Sequence, residues 1–293
     1  MGDTTEATRV AVIGAGTMGH GIAQVCSTAG LSVAVSDVSE EALEKGRRGV
    51  SSSLDRMVSK AKLSPDARDA VLSRIAWVRS VEAAVADADV VIEAVPEKIE
   101  LKKDILRRVD VTAPERALVG SNTSSLSVTE LSMVLRDPSR VVGLHFFNPV
   151  PVMELLEVVT GLRSADATVA RALVFAKTLG KTPIVVRDFP GFATSRLGVV
   201  IGAEAMRMLE QGVASAEDID RAMELGYRHP MGPLRLTDLV GLDVRLAILE
   251  HLHRELGEQF RPPALLRQMV RAGKLGKKSG EGFYLWPTDP KKT

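Results

Sequence analysis

Through roughly the first two-thirds of the chain, short apolar runs alternate with stretches of helical period. Residues 10–13, 33–35, 90–95, 118–120, 141–144, 155–159 and 184–186 are rich in Val and Ile and are bounded by turn residues, a pattern that predicts buried strands. Between most of them, residues 18–29, 39–62, 101–109, 128–135 and 167–179 predict helices. Such alternation argues for a doubly wound α/β sheet, mostly parallel. After Asp188 the strand signals nearly vanish. Helical periods cover 194–211, 216–225, 234–255 and 263–272. Phe189-Pro190-Gly191 punctuates the change. The pattern therefore predicts one α/β domain over 1–187 and a smaller all-helical domain over 188–293, with no internal repeat.

The first predicted strand runs into Gly14-Ala15-Gly16-Thr17-Met18-Gly19 and then a helix. Gly14 permits a tight turn, Gly16 lets backbone approach a pyrophosphate, and Gly19 allows close helix–strand packing. The helix start at Thr17 and Met18 offers N–H groups and partial positive charge to phosphates. Asp37 ends the second strand about 20 residues on, where a carboxylate binds ribose hydroxyls and repels a 2′-phosphate. Val38, Ser39, Glu40 and Glu41 follow it, with no arginine among them. These features predict a Rossmann-type domain with NAD, rather than NADP, as cofactor.

The chain has 293 residues, 45% hydrophobic and 26% charged, enough for two folded domains. A net charge of +1 supplies no global field for nucleic acid or an anionic membrane. Cys26 is the lone cysteine, which rules out an intrachain disulfide and makes thiol-ligated zinc an unsuitable reading, so no metal is expected. No apolar run is long enough to span a bilayer, and residues 1–8 lack a signal-peptide core. A cytoplasmic protein is the simplest expectation.

Oxidising an alcohol requires a base for the hydroxyl proton, most often histidine. His20 lies on the first helix, His251 and His253 among charged residues, and His229 in a Pro/Gly turn. His145 instead follows the strand 141–144 at its carboxyl end, the side on which open α/β sheets bind ligands. Glu157, set in the apolar run Leu155-Leu156-Glu157-Val158-Val159, needs a buried partner, and an imidazole suits it. Glu154 precedes that run and can reach water. Ser124, in Ser121-Asn122-Thr123-Ser124-Ser125, also sits at a strand's carboxyl end. Ser127-Val128-Thr129-Glu130 reads as a capping box, which leaves Ser124 or Ser125 for a ligand.

Together these residues resemble the L-3-hydroxyacyl-CoA dehydrogenase family, including its 3-hydroxybutyryl-CoA type. The most specific strings are Ser121-Asn122-Thr123-Ser124-Ser125-Leu126, Gly143 to Met153 (GLHFFNPVPVM), and Lys277-Lys278-Ser279-Gly280-Glu281-Gly282-Phe283-Tyr284. The resemblance implies NAD-dependent oxidation of the 3-hydroxyl of an acyl-CoA, or the reverse reduction. It makes His145 the base, Glu157 its partner, and Ser124 and Asn148 ligands of the substrate oxygen and nicotinamide region. It further implies cofactor contacts from Glu97, Lys102 and Lys278, and a homodimer through the helical domain. Ser53, Arg56 and Lys60 share one helix face. From charge alone that face is solvated surface; the resemblance makes Ser53 and Lys60 ligands of the CoA phosphates.

Ser195 departs from the family pattern, which usually has Asn there, and a hydroxyl reaches less far than an amide. An acyl group on a carrier protein, a free hydroxy or sugar acid, and an NAD-binding protein without turnover stay open as alternatives.

Overall fold

The structure is a computed structural model that describes residues 8–287, so the polar amino-terminal stretch read above lies outside it except for Thr8. The chain divides into two compact units, Met1–Phe189 and Pro190–Thr293.

Unit 1 runs β1 (Arg9–Ile13), α1 (Thr17–Thr28), β2 (Ser32–Ser36), α2 (Glu40–Ser59), α3 (Pro65–Ser73), β3 (Ile75–Val78), α4 (Val81–Val85), β4 (Val90–Glu93), α5 (Ile99–Thr112), β5 (Leu118–Ser121), α6 (Val128–Ser132), β6 (Val141–Phe146), β7 (Leu155–Thr160), α7 (Asp166–Thr178) and β8 (Thr182–Arg187). The sheet order is β3-β2-β1-β4-β5-β6-β7-β8. Every neighbouring pair is parallel except β6–β7. The chain order reverses beside β1, which opens a ligand crevice at the strands' carboxyl ends.

The central strands β1, β4, β5 and β6 are buried on both faces, which is why they read as unbroken Val/Ile runs. Both sheet edges depart from the sequence expectation. The pattern gave no sign of α3, β3 or α4. β3 has four residues, of which only Ile75 is buried, so its apolar signal is weak. At the opposite edge, the run 184–186 is a strand but not a buried one. Val185 is 51% exposed, and Pro183 is tolerated because an edge strand leaves one row of N–H groups unpaired.

Helix α2 begins where expected, with the Ser39 hydroxyl accepting from Ala42 N (3.2 Å) and Glu40 and Glu41 in its first turn. Its buried stripe is Leu43, Gly46, Val50 and Leu54. Gly46 is required by proximity: a Cβ there would stand 2.9 Å from both the Ala15 carbonyl oxygen and the Trp77 ring. The capping box at Ser127 forms only in half. Ser127 accepts from Glu130 N (3.1 Å), but the Glu130 carboxylate turns outward to Lys103 (2.7 Å).

Unit 2 comprises α8 (Thr194–Glu210), α9 (Ala216–Gly226), α10 (Pro233–Val240), α11 (Leu242–Leu256) and α12 (Ala264–Arg271) around its own apolar cluster. The helix predicted over 234–255 is two helices. Gly241 takes φ +105°, a left-handed conformation that interrupts the α-helical ladder. The apolar stripe divides with it: Leu242 and Leu249 are core, while Leu239 is exposed. Two buried carboxylates organise the unit. Asp220 accepts from Leu234 N (2.8 Å) and Arg235 N (2.9 Å), capping α10. Asp238 accepts from Phe283 N (2.9 Å), Tyr284 N (2.9 Å) and Trp286 Nε1 (2.8 Å), tying down the late turn.

Close packing of α1 on the loop after β1 depends on Gly19, since a Cβ there would overlap the Gly14 carbonyl oxygen. Gly19→Ala should lower stability by about 3 kcal/mol or more, because backbone on both sides must shift. Urea denaturation checks this, and an unchanged midpoint would contradict such packing.

Candidate active site

The glycine loop takes the shape that a diphosphate needs. Gly14 adopts φ +106°, and its N donates to the Ser36 carbonyl (2.7 Å). Gly16 and Thr17 are exposed, and a Cβ on Gly16 would meet nothing within 4 Å, so the approach to this backbone is open. Helix α1 has neither a side-chain cap nor an acid in its first turn. Its leading N–H groups are thus available to an anion, and the residues present fit a dinucleotide. Asp37 closes the loop from β2: Oδ2 accepts from Ala15 N (2.9 Å) and Oδ1 from Ser39 N (3.1 Å). The sheet also brings in an arginine that the local sequence did not disclose. Arg79, following β3, donates from Nη2 to the Val38 carbonyl (3.3 Å).

β6 runs two residues further than the apolar pattern suggests, so His145 is a strand residue rather than the first of a loop. The β6–β7 ladder sets His145 directly opposite Glu157. Directly opposed residues in an antiparallel pair point to one face and their side chains meet. His145 Nδ1 lies 2.6 Å from Glu157 Oε2. Glu157 has no exposed surface and His145 is 6% exposed. A carboxylate only accepts, so Nδ1 carries the proton and donates it, which leaves Nε2 as the basic nitrogen. The Phe147 ring packs against the imidazole with centroids 4.4 Å apart. Asn122 Oδ1 accepts from Phe146 N (2.9 Å) and fixes the end of the strand.

Ser124 and Ser125 are not independent hydroxyls. Glu97 Oε1 accepts from Thr123 Oγ1 (2.6 Å), Ser124 N (2.9 Å) and Ser125 N (3.2 Å), with both serine hydroxyls at 3.3 Å. Behind Glu97 stands Lys102, fully buried on α5. Its Nζ donates to Glu93 Oε1 (2.8 Å) and the Val95 carbonyl (3.2 Å), and pairs with Glu97 Oε2 (3.3 Å). Glu93, at the end of β4, also accepts from Ser121 Oγ (2.5 Å) and Val95 N (2.7 Å). Burial pushes Glu93 up, and the Lys102 ammonium works against that shift. Burial also pushes on Glu97, but Lys102 and the donors from Thr123 and Ser124 outweigh it and hold Glu97 below the ordinary carboxylate range. Glu93 is missing from the sequence expectation. An acid ending an all-apolar strand, Val90-Val91-Ile92-Glu93, was the available signal.

Asn148 stands exposed just beyond β6, at the start of the loop leading to β7. That loop is anchored by Lys181, whose Nζ donates to the Val150 (2.6 Å) and Met153 (2.7 Å) carbonyls. No local motif marks Lys181. Ser53 is half-buried on α2, and Lys60 is exposed at its C-cap. Glu154 is exposed, as expected. Ser195 and Lys278 belong to unit 2. Ser195 lies in the first turn of α8, and Lys278 Nζ pairs with Asp243 (2.6 Å). Cys26 is buried, which pushes its thiol up to about 12 and makes it inert. Among the described residues no cluster of His, Cys, Asp or Glu could hold a metal, and no helix is long and apolar enough to cross a membrane.

Comparison with known proteins adds the chemistry. The profile of the 3-hydroxyacyl-CoA dehydrogenase NAD binding domain matches residues 9–189, and that of the C-terminal domain matches residues 191–286. A probable 3-hydroxyacyl-CoA dehydrogenase of Caenorhabditis elegans is 47% identical over 94% of this chain and 91% of its own. A probable 3-hydroxybutyryl-CoA dehydrogenase of Deinococcus radiodurans is 44% identical over 93% of this chain and 98% of its own. Among solved structures, (S)-3-hydroxybutyryl-CoA dehydrogenase from Ralstonia eutropha superposes with a TM-score of 0.92 at 44% identity, covering 97% of this chain and all (100%) of that one.

The buried Glu93–Lys102 pair is testable without substrate. Lys102→Met leaves an uncompensated carboxylate and should cost about 3–5 kcal/mol, whereas Glu93→Leu with Lys102→Met should recover much of that. Glu97 stabilises the fold above its unfolded pKa of about 4.3 and loses that contribution as pH falls through its lower folded value. Without Lys102 the loss should begin at higher pH. Urea titrations between pH 3 and about pH 7 would read both effects. A Lys102→Met protein as stable as the parent would remove the pair from its structural role.

Proposed function

The chain belongs to the 3-hydroxyacyl-CoA dehydrogenase family, and on that basis we propose how its residues share the work of the reaction. The enzyme interconverts an L-3-hydroxyacyl-CoA and the 3-oxoacyl-CoA with NAD as cofactor. The observation that carries the mechanism is the cross-strand His145–Glu157 pair at the carboxyl end of β6.

In the oxidative direction Nε2 of His145 takes the 3-hydroxyl proton. The C3–H electron pair leaves as hydride, and C3 becomes a ketone. Nicotinamide supplies the hydride acceptor when bound. Glu157 fixes the ring orientation and stabilises the imidazolium. In reduction the same imidazolium returns the proton. Ser124 and Asn148 hydrogen-bond the substrate oxygen and the nicotinamide side, Ser124 being held in place by Glu97. The N–H groups at Gly16, Thr17 and Met18 receive the diphosphate, and Asp37 receives the adenosine ribose. Lys102 acts on the cofactor side through Glu97, and Lys278 is a further cofactor ligand. Ser53 and Lys60 take the CoA phosphates, and Ser195 faces the acyl thioester.

A homodimer in the cytoplasm completes this reading. It is supported by apolar side chains that unit 2 leaves exposed on α8 and α10, among them Leu197, Val200, Ile201 and Leu236. Light scattering should return twice the 31.5 kDa chain mass.

NADH oxidation with acetoacetyl-CoA tests the whole scheme. General acid–base groups contribute roughly 10²- to 10⁴-fold, so His145→Gln should lose that much in kcat. Glu157→Gln should lose rate as well, with KM for NADH little changed. A His145→Gln enzyme near full rate would remove His145 from the base role. Equal rates on acetoacetyl-CoA and free acetoacetate would point to a free acid as substrate.

A further inference from the structure

Residues 147–154 join β6 to β7 without strand or helix, and they carry Asn148 and the Phe147 ring that packs on His145. Such a segment has little means of fixing itself. Pro149 and Pro151 have no N–H to donate. The backbone bonds within it run from Val152 N (2.9 Å) and Met153 N (3.0 Å) to the Pro149 carbonyl. These shape a turn but do not locate it on the sheet, so its place must be set from outside.

Lys181 sets it. The residue stands at the turn from α7 to β8, where its own N donates to the Ala176 carbonyl (3.0 Å) and the adjacent Thr182 N donates to the Glu154 carbonyl (2.8 Å). From that base Nζ reaches the Val150 (2.6 Å) and Met153 (2.7 Å) carbonyls, just downstream of Asn148. Lys181 is 9% exposed, and burial pulls its ammonium down, with Glu154 working against that shift. A buried cation whose acceptors are carbonyls rather than a carboxylate is a costly way to fill space, which an apolar side chain of similar length would fill as well. What the cation adds is direction, because its charged donors fix two carbonyls at once. The opposite wall is α1. Val150 is buried there, and a Cβ on Gly21 would stand 3.0 Å from the Val150 Cβ. The loop is thus gripped from both sides at Val150.

We propose that Lys181 is a positioning residue for the reaction: by holding the Val150 and Met153 carbonyls it places Asn148 where the substrate oxygen arrives. The proposal rests on the reading above that Asn148 hydrogen-bonds that oxygen. Lys181 itself moves no proton, and the transfers at C3 are unchanged. Its effect is pre-organisation. A donor already in place needs no reordering as charge develops on the oxygen.

A double-mutant cycle on acetoacetyl-CoA reduction tests this. Lys181→Met keeps the length of the side chain and removes both bonds. A misplacement of about 1 Å by a remote mutation can cost roughly 10²-fold, so kcat should fall roughly ten- to a hundredfold. NADH binding, read by its fluorescence, should be unchanged, because the glycine loop after β1 is untouched. If Lys181 acts through Asn148, adding Lys181→Met to Asn148→Ala should slow the enzyme little further. Losses that multiply would mark a merely structural role and overturn the proposal. So would a Lys181→Met enzyme with the kcat of wild type, or one that no longer binds NADH. Should Lys181→Met fail to fold, Lys181→Arg takes its place in the cycle: it keeps cationic donors, but its longer reach shifts the loop. Its kcat must then fall in the parent and not in Asn148→Ala, and any other pattern overturns the proposal. An Asn148→Ala enzyme at full rate would instead sink the underlying reading of Asn148.

Discussion

A carboxylate shut away from water must be met by a proton donor, and Glu157 sets that demand on β7, one strand in from the sheet edge. The fold meets it by reversing strand direction once. The antiparallel β6–β7 pairing sets His145 and Glu157 face to face, in register, with the imidazole sharing its Nδ1 proton at 2.6 Å. Ring orientation and choice of tautomer follow from that one contact. Phe147 and Asn122 then keep the strand end from drifting.

The same constraint recurs at the neighbouring strand ends. Glu93 closes β4 with no exposed surface, and Lys102 answers it from α5. The charge is relayed outward to Glu97, which gathers the hydroxyl and amide groups of Thr123, Ser124 and Ser125. A serine that reads as an independent ligand in the sequence is thus one end of a chain of ionic contacts anchored in the core. Positioning costs little when it is borrowed from buried pairs that must form anyway.

Legibility in the sequence followed burial. Central strands buried on both faces announced themselves as Val/Ile runs, and the fingerprint from Gly14 to Gly19 with Asp37 located the cofactor loop. The edges were harder to see. β3 is short and half-exposed, and α4 after it has only five residues, too few to show a helical period, so 65–85 carried no element in the pattern. Gly241 falls inside the helical period 234–255, and nothing local reveals that its φ is positive. At the site, His145 and Glu157 were legible as types at plausible positions, but their register was not, because the reversal of β7 is a tertiary fact. Lys181, Glu93 and Arg79 act across distances in sequence of 31, 9 and 41 residues, which no local motif encodes.

Asp37 carries a consequence for anyone wishing to redesign cofactor choice. The carboxylate that disfavours a 2′-phosphate is the same one that accepts from Ala15 N and Ser39 N, stitching the glycine loop to the start of α2. Discrimination and loop integrity are therefore a single trait. Replacing Asp37 with a small neutral residue removes the electrostatic veto and at the same time frees two backbone donors at the phosphate cradle. A switch of coenzyme would have to supply new acceptors for those amides before Arg79, already nearby, could be recruited as a phosphate ligand. Retooling this pocket is a problem of two coupled edits rather than one.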